Sequence, residues 1–297
     1  MHKFLYYINW VIKCKIKGKQ IPLSSSIIIT DKCNLTCKHC SVAHLGYENQ
    51  SFEDITTQIS KLYDTGSRML VITGGEPFIW SFNGKRLEDV VQFSKQFGFF
   101  RIVICTNGTF PLNSSADYLW VSVDGAEETH NKIRGKISNT VWENIDKSSH
   151  KRIYLNFTIS KLNQDSFFIE SQQIFKNRKI KGILFHIFTP YVGSDASLLL
   201  TKDERIKVLI DLMKLKIKYP IRVSNTYNGI RELVQDRWKR PVWSSILINQ
   251  GKLVECCCRE GIYNKEVCEL CGCSPAVETY VLEKLKPLAI IENLRFL

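Results

Sequence analysis

Short apolar runs recur along the first two thirds of the chain, with longer mixed stretches between them. The runs 24–30, 68–73, 101–106, 118–123, 153–159 and 182–188 read as buried strands. Segments near 51–65, 86–97, 140–147, 165–177 and 202–218 read as helices. Ser51 with Asp54 predicts an N-cap followed by an early acid, and Gly66 predicts the stop of that helix. Strands alternating with helices predict a parallel sheet with crossover helices, an α/β fold. The third crossover is the exception. About eleven residues separate the third and fourth runs, with Pro111 among them, so the helix there is expected to be degenerate.

The two ends depart from this rhythm. Near the N-terminus, Leu5, Ile8, Ile12 and Ile16 share one helical stripe and predict a helix packed against the rest of the fold. The alternative is a basic, aromatic-rich helix lying on a membrane surface. Toward the C-terminus, Ser245–Asn249, then Gln250-Gly251, then Lys252–Cys256 reads as a β-hairpin with a Gly turn. The chain thus divides into an amphipathic segment 1–23, an alternating part 24–220, and a Cys-rich part 221–297 with a final helix.

Composition narrows the setting. No run approaches the roughly 18 to 20 apolar residues of a membrane span. The stretch from Phe4 to Ile12 lacks a small-residue cleavage site and is followed by Lys13, Lys15, Lys17 and Lys19, so it does not read as a signal peptide. Eleven cysteines without export signals point to metal chemistry in a reducing, cytoplasmic compartment rather than to disulfides. The net charge of +12 is compatible with a Lys-rich solvated surface or with attraction to acidic peptides, nucleic acid or anionic lipid. No nucleic-acid signature with interleaved aromatics stands out, which disfavours that partner.

The chemistry lies in the cysteines and in the polar residues that end the strands. Cys33, Cys37 and Cys40 follow the first strand with C-x3-C-x2-C spacing. Three thiolates on one loop can hold three irons of a [4Fe–4S] cluster and leave the fourth open, whereas an electron carrier normally supplies four. Gly74-Gly75-Glu76-Pro77 ends the second run, Thr106-Asn107-Gly108 the third, and Ser122-Val123-Asp124-Gly125 the fourth, followed by Glu128, His130, Arg134 and Gly135. For His130 and Arg134 a surface role and a functional one both stay open. Six cysteines fall within eighteen residues near the C-terminus: Cys256, Cys257, Cys258, Cys268, Cys271 and Cys273. Cys14 and Cys105 read as small buried apolar residues.

Together these motifs resemble the radical S-adenosylmethionine (radical SAM) superfamily, in the branch with short SPASM or twitch C-terminal extensions. The resemblance covers roughly residues 24 to 275. It implies an open (β/α)6 partial barrel whose strand C-termini carry the active site. It implies that Cys33, Cys37 and Cys40 hold a cluster whose open iron chelates SAM, and that an electron cleaves SAM to a 5′-deoxyadenosyl radical. It gives Gly74, Gly75 and Glu76, beside Pro77, the methionine amino group of SAM. It makes Ser122 and Asp124 candidates for the SAM ribose or carboxylate, leaves Asn107 to fix the loop after the third strand, and adds His39 before the last loop cysteine. It implies one auxiliary [4Fe–4S] cluster on Cys268, Cys271 and Cys273, with Cys256 or a neighbour as fourth ligand; a four-cysteine zinc site is the runner-up. It implies a reductant such as flavodoxin or ferredoxin and favours a peptide or protein substrate, with a lipid or other small metabolite as the alternative. Two other classes remain as contrasts: a non-catalytic iron–sulfur carrier, and a zinc-stabilised binding module.

Overall fold

The computed structural model describes residues 3–191, 193–256 and 265–296. Cys257 and Cys258 lie outside the described residues. Six parallel strands are laid side by side in chain order: β1 (Ser24–Ile28), β2 (Met69–Thr73), β3 (Arg101–Thr106), β4 (Tyr118–Ser122), β5 (Ile153–Ile159) and β6 (Ile180–Ile187). These are the six strands expected from the apolar runs. The helices are α1 (Lys3–Val11), α2 (Phe52–Asp64), α3 (Leu87–Phe97), α4 (Glu127–Arg134), α5 (Ser138–Lys147), α6 (Phe167–Ile174), α7 (Lys202–Lys218), α8 (Tyr227–Gln235), α9 (Lys265–Glu269), α10 (Ser274–Glu283) and α11 (Pro287–Asn293). Residues 107–117, between β3 and β4, contain no helix, as Pro111 and the short spacing predict.

The strand period of two sorts the residues. One face carries Ile27, Leu70, Ile72, Ile102, Ile104, Leu119 and Leu155, all fully buried. They pack beneath the helices against Ile55, Ile59 and Leu62 of α2, Val90 and Val91 of α3, and Val141 and Ile145 of α5 in one continuous core. The other face carries Ser26, Val71, Val103, Trp120, Asn156 and Leu184 and lines an internal cavity. The sheet therefore curls around open space, as an open (β/α)6 partial barrel does. α2 starts where the sequence predicts: Ser51 Oγ accepts from Asp54 N at 3.0 Å, and the Asp54 carboxylate accepts from Ser51 N at 3.0 Å.

The C-terminal hairpin forms as read, from β7 (Ser245–Asn249) and β8 (Lys252–Glu255). Gln250 and Gly251 turn it with φ of 47° and 75°, both in the left-handed region that a two-residue hairpin turn requires. Its position was not expected. β7 runs parallel to β1 and extends the barrel sheet by a further wall, so the order is β8-β7-β1-β2-β3-β4-β5-β6. The division at residue 220 accordingly coincides with no break in the core, which runs on through Ile246, Ile248, Cys256, Cys271, Ala276 and Val277.

α1 packs as a helix, but not through the stripe its sequence suggested. Tyr6 and Trp10 are buried with Leu23, while Leu5, Ile8, Ile12 and Ile16 face outward. Tyr6 Oη donates to Gly66 O at 3.0 Å and Trp10 Nε1 donates to Ile21 O at 2.7 Å. Two aromatic rings with polar tips thus fix the helix to the N-terminal pole of the barrel, and their area outweighs the aliphatic stripe.

Candidate active site

The cysteine loop leaves the C-terminal end of β1 and turns into the barrel mouth. Cys33, Cys37 and Cys40 all line the internal cavity, whose volume is about 380 Å³. The loop is held from two sides. Gly75 N donates to Thr30 O and Glu76 N to Lys32 O, each at 2.8 Å, so the end of β2 lies directly on the root of the loop. A Cβ on Gly75 would stand 2.3 Å from Lys32 O, and one on Gly74 2.4 Å from Thr30 O. The two glycines are required by this backbone contact, besides lining the cavity. From the other side Asn107 Nδ2 donates to Asn34 Oδ1 at 2.9 Å and lies 3.7 Å from Cys33 Sγ. Leu35 N is also directed at Cys33 Sγ, at 3.4 Å.

Two buried carboxylates brace this frame. Glu76 is fully buried and accepts from Asn107 N (2.6 Å), Thr106 Oγ1 (2.8 Å) and Phe78 N (3.1 Å). Burial pushes its carboxyl up to about 7, against the pull of those donors. Asp124, equally buried, accepts from Arg134 Nε at 2.6 Å and Thr158 N at 2.8 Å, with His39 Nε2 at 3.8 Å. Burial opposes its ionisation, yet Arg134 and then His39 hold it below the usual carboxylate range. Arg134 is the reciprocal case. Burial works against its charge, but Asp124 and then Cys37 raise it. Behind them His130 Nδ1 accepts from Asp124 N at 3.3 Å, and burial, then Arg134, lowers the imidazole to about 4. The Cys37 thiol, with Arg134 beside it, is pushed up to about 11 by burial.

Residues 27–160 match the sequence model of the Radical SAM superfamily. These residues are a radical SAM domain. The chain is 34% identical over 118 residues to the Fe-coproporphyrin III synthase of Methanosarcina barkeri, covering 36% of this chain and 28% of that one. It is 31% identical over 130 residues to the antilisterial bacteriocin subtilosin biosynthesis protein AlbA of Bacillus subtilis, covering 39% and 28%. The alignments thus span less than a third of these two relatives. Streptococcus suis SuiB bound to its precursor peptide SuiA superposes with a TM-score of 0.64 at 12% identity, over 87% of this chain and 65% of that one. That likeness is one of fold.

Within the radical SAM domain the expected residues separate into two groups. Cys33, Cys37, Cys40, His39, Gly74, Gly75, Asn107 and Ser122 face the cavity. Glu76, Pro77 and Asp124 do not line it. Pro77, itself buried, starts a 3-10 turn, Glu76 ties the ends of β2 and β3 together, and Asp124 anchors Arg134. They are buried behind the cavity wall and bonded to its neighbours, so they shape the site from behind. Arg134 and His130, left open by the sequence, belong to this network, and Arg134 itself reaches the cavity wall. Their signal was the run of Glu128, His130, Arg134 and Gly135 after Asp124; spacings of ten and six residues bring Arg134 and His130 back from α4 to the strand end. His186, also cavity-lining, lies 3.3 Å through Nε2 from Asn156 Oδ1; both sit on inward positions of β6 and β5 that an apolar-run reading passes over.

The C-terminal cysteines approach the same cavity from another side. Cys256, Cys268 and Cys271 are buried, and Cys273 lines the cavity. Burial raises the Cys271 thiol, and neighbouring Cys273 and Cys256 add to the rise, so these three share one small region. The Cys271–Cys273 turn docks on the end of β6: Gly272 N donates to Thr189 Oγ1 at 3.0 Å and Ile187 N to Gly272 O at 3.1 Å. From there α10 presents Pro275, Glu278, Thr279 and Leu282 to the cavity. No disulfide joins the described cysteines. Among the described residues no three His, Cys, Asp or Glu side chains converge on one metal ion. A four-iron cluster takes one thiolate per iron at separate corners and does not need that convergence. The first loop fits such a group: three thiols, N–H donors at Cys33 Sγ, and a cation beside Cys37.

Proposed function

We propose that this chain is a radical SAM enzyme: it reductively cleaves SAM to methionine and a 5′-deoxyadenosyl radical, which abstracts a hydrogen atom from a substrate. The observation that carries the reading is that Cys33, Cys37 and Cys40 line one cavity together with Gly74, Gly75, Ser122 and Arg134. A cluster bound to the three thiolates would supply one electron and an open iron for the amino and carboxylate groups of SAM. The chain's own residues then divide the remaining work. Gly74 and Gly75 bring the β2 end close to the loop. Asn107 holds the loop in register. Arg134, kept cationic by Asp124, offers a partner to a carboxylate. The electron comes from a reductant such as flavodoxin or ferredoxin.

The auxiliary [4Fe–4S] cluster is assigned to Cys256, Cys268, Cys271 and Cys273, the described cysteines of the extension. The substrate class we favour is a peptide. One relative is named for bacteriocin biosynthesis, and the superposed SuiB is bound to a precursor peptide. A second reading, a small metabolite, has its support in the relative named Fe-coproporphyrin III synthase. No helix among the described residues is long and apolar enough to cross a membrane, and we place the activity in the cytoplasm.

The test is anaerobic reconstitution with SAM and dithionite, followed by quantification of 5′-deoxyadenosine. Wild type should form it, and Cys37→Ala should form none. A Cys37→Ala variant with undiminished cleavage would sink the assignment. Mass spectrometry of incubations with candidate peptides and with small-molecule extracts separates the two substrate readings, by whether a peptide or a small molecule changes mass in a SAM-dependent way.

A further inference from the structure

Among the described residues, nothing covers the outward face of α1 and of the turn that extends it, Ile12–Ile16. Phe4, Leu5, Ile8, Ile12 and Ile16 are 56%, 58%, 43%, 40% and 78% exposed. Single exposed apolar residues are common, but five in a row along one helix are not. The opposite face is locked down by Tyr6 and Trp10, so the stripe is presented rigidly. Lys13, Lys15, Lys17 and Lys19 follow along its second half, and the first thirty residues contain no Asp or Glu. The helix sits at the N-terminal ends of the strands, where Tyr6 and Tyr7 meet Phe100 and Trp10 stacks on Trp243, the pole opposite the cysteine loop.

We propose that this face docks on an anionic lipid surface. An apolar stripe flanked by lysines without acids is the pattern of a helix lying in a membrane interface: the aliphatic side chains enter the acyl boundary and the ammonium groups meet the headgroups. A second copy of the chain is a poorer occupant, because a twofold contact of this face would find no carboxylate on either helix to pair with the lysines of the other. The surface lies apart from the cysteine site, and its test needs neither cluster nor SAM, so it stands or falls separately from the proposed enzymatic activity.

The experiment is co-sedimentation of the full-length chain with phosphatidylcholine vesicles, with and without phosphatidylserine. Binding should require phosphatidylserine and weaken with added salt. Lys15→Gln and Lys17→Gln should each lower partitioning roughly fivefold, the equivalent of about 1 kcal/mol per basic residue at an anionic surface. The triple variant Leu5→Gln, Ile8→Gln, Ile12→Gln should abolish binding at an unchanged melting temperature; should it unfold, Ile16→Gln alone, at the most exposed position, should still weaken binding. Equal binding to both vesicle types overturns the proposal. So does a stripe variant that binds like wild type, a dimer that the stripe variant dissociates, or capture of an acidic peptide without vesicle binding.

Discussion

The two cysteine regions of this chain solve the same problem in different ways. The loop Cys33–Cys40 is short, its three cysteines are half-buried, and it is positioned by backbone contacts with the two neighbouring strand ends. The C-terminal cysteines are mostly buried and come from separate elements: Cys256 at the end of β8, Cys268 in α9, and Cys271 and Cys273 in the turn before α10. They are assembled because β7 is laid against β1 and the Cys271–Cys273 turn against β6. One site is carried by local sequence on a rigid rim. The other depends on joining the two ends of an open sheet. The first should tolerate damage to the second, whereas the second draws on the whole barrel.

Iron content gives the sharpest division between them. With two four-iron clusters wild type should bind about eight irons per chain. Removing Cys33, Cys37 and Cys40 together should leave a folded, coloured protein with about half that iron, measured by iron assay and absorbance. A colourless, zinc-loaded triple variant would instead make the C-terminal region a zinc site.

Each region also contains one carboxyl raised to about 7 chiefly by burial, the fully buried Glu76 behind the first loop and the half-buried Glu278 on α10. Glu278 accepts from Thr226 N at 2.9 Å and Thr226 Oγ1 at 2.8 Å. Both groups bind a proton more tightly in the folded chain than in the unfolded one. Their contribution is therefore complete below about pH 4.5 and is lost as pH rises through about 7. A rise from 4.5 to about 7 corresponds to about 3 kcal/mol for each carboxyl. Urea unfolding of wild type should show stability falling between pH 5 and pH 8. Glu278→Gln and Glu76→Gln should each remove part of that slope. Variants that keep the full wild-type slope would show that these carboxyls titrate normally in the fold.

The close backbone contacts give the smallest but most local comparison. A Cβ at Gly272 would lie 2.2 Å from Ile187 O, and one at Gly75 2.3 Å from Lys32 O. Gly272→Ala should cost about 1–3 kcal/mol and lower auxiliary iron selectively, because it lifts the turn from β6. Gly75→Ala should cost a similar amount and lower the iron of the first loop. Thermal melts with iron assays read both. If either substitution removes iron equally from both regions, the two sites are not structurally separable.

Much was legible from the sequence because it is written in short-range chemistry. Apolar runs of strand length fixed the six parallel strands, Pro111 and the short spacing removed one crossover helix, and C-x3-C-x2-C marked the first site. These features depend on residues a few positions apart. The tertiary structure decided what depends on burial and on distant partners. β1 carries buried apolar residues on both faces, at Ile27 and Ile28, which marks a strand covered above and below, while its two hydrogen-bonding edges pair with β2 and with β7. Only the fold reveals that β7, more than two hundred residues later, supplies the second neighbour. Asp124 and Glu76 sit at strand ends where ligands bind, yet both are buried outside the cavity lining, and helix α4 returns Arg134 to the cavity wall. On α1 the periodicity identified a stripe correctly and its orientation wrongly, because four aliphatic side chains compete there with two aromatic ones. Period alone cannot rank two faces of a helix; the shape of the surface that receives it does.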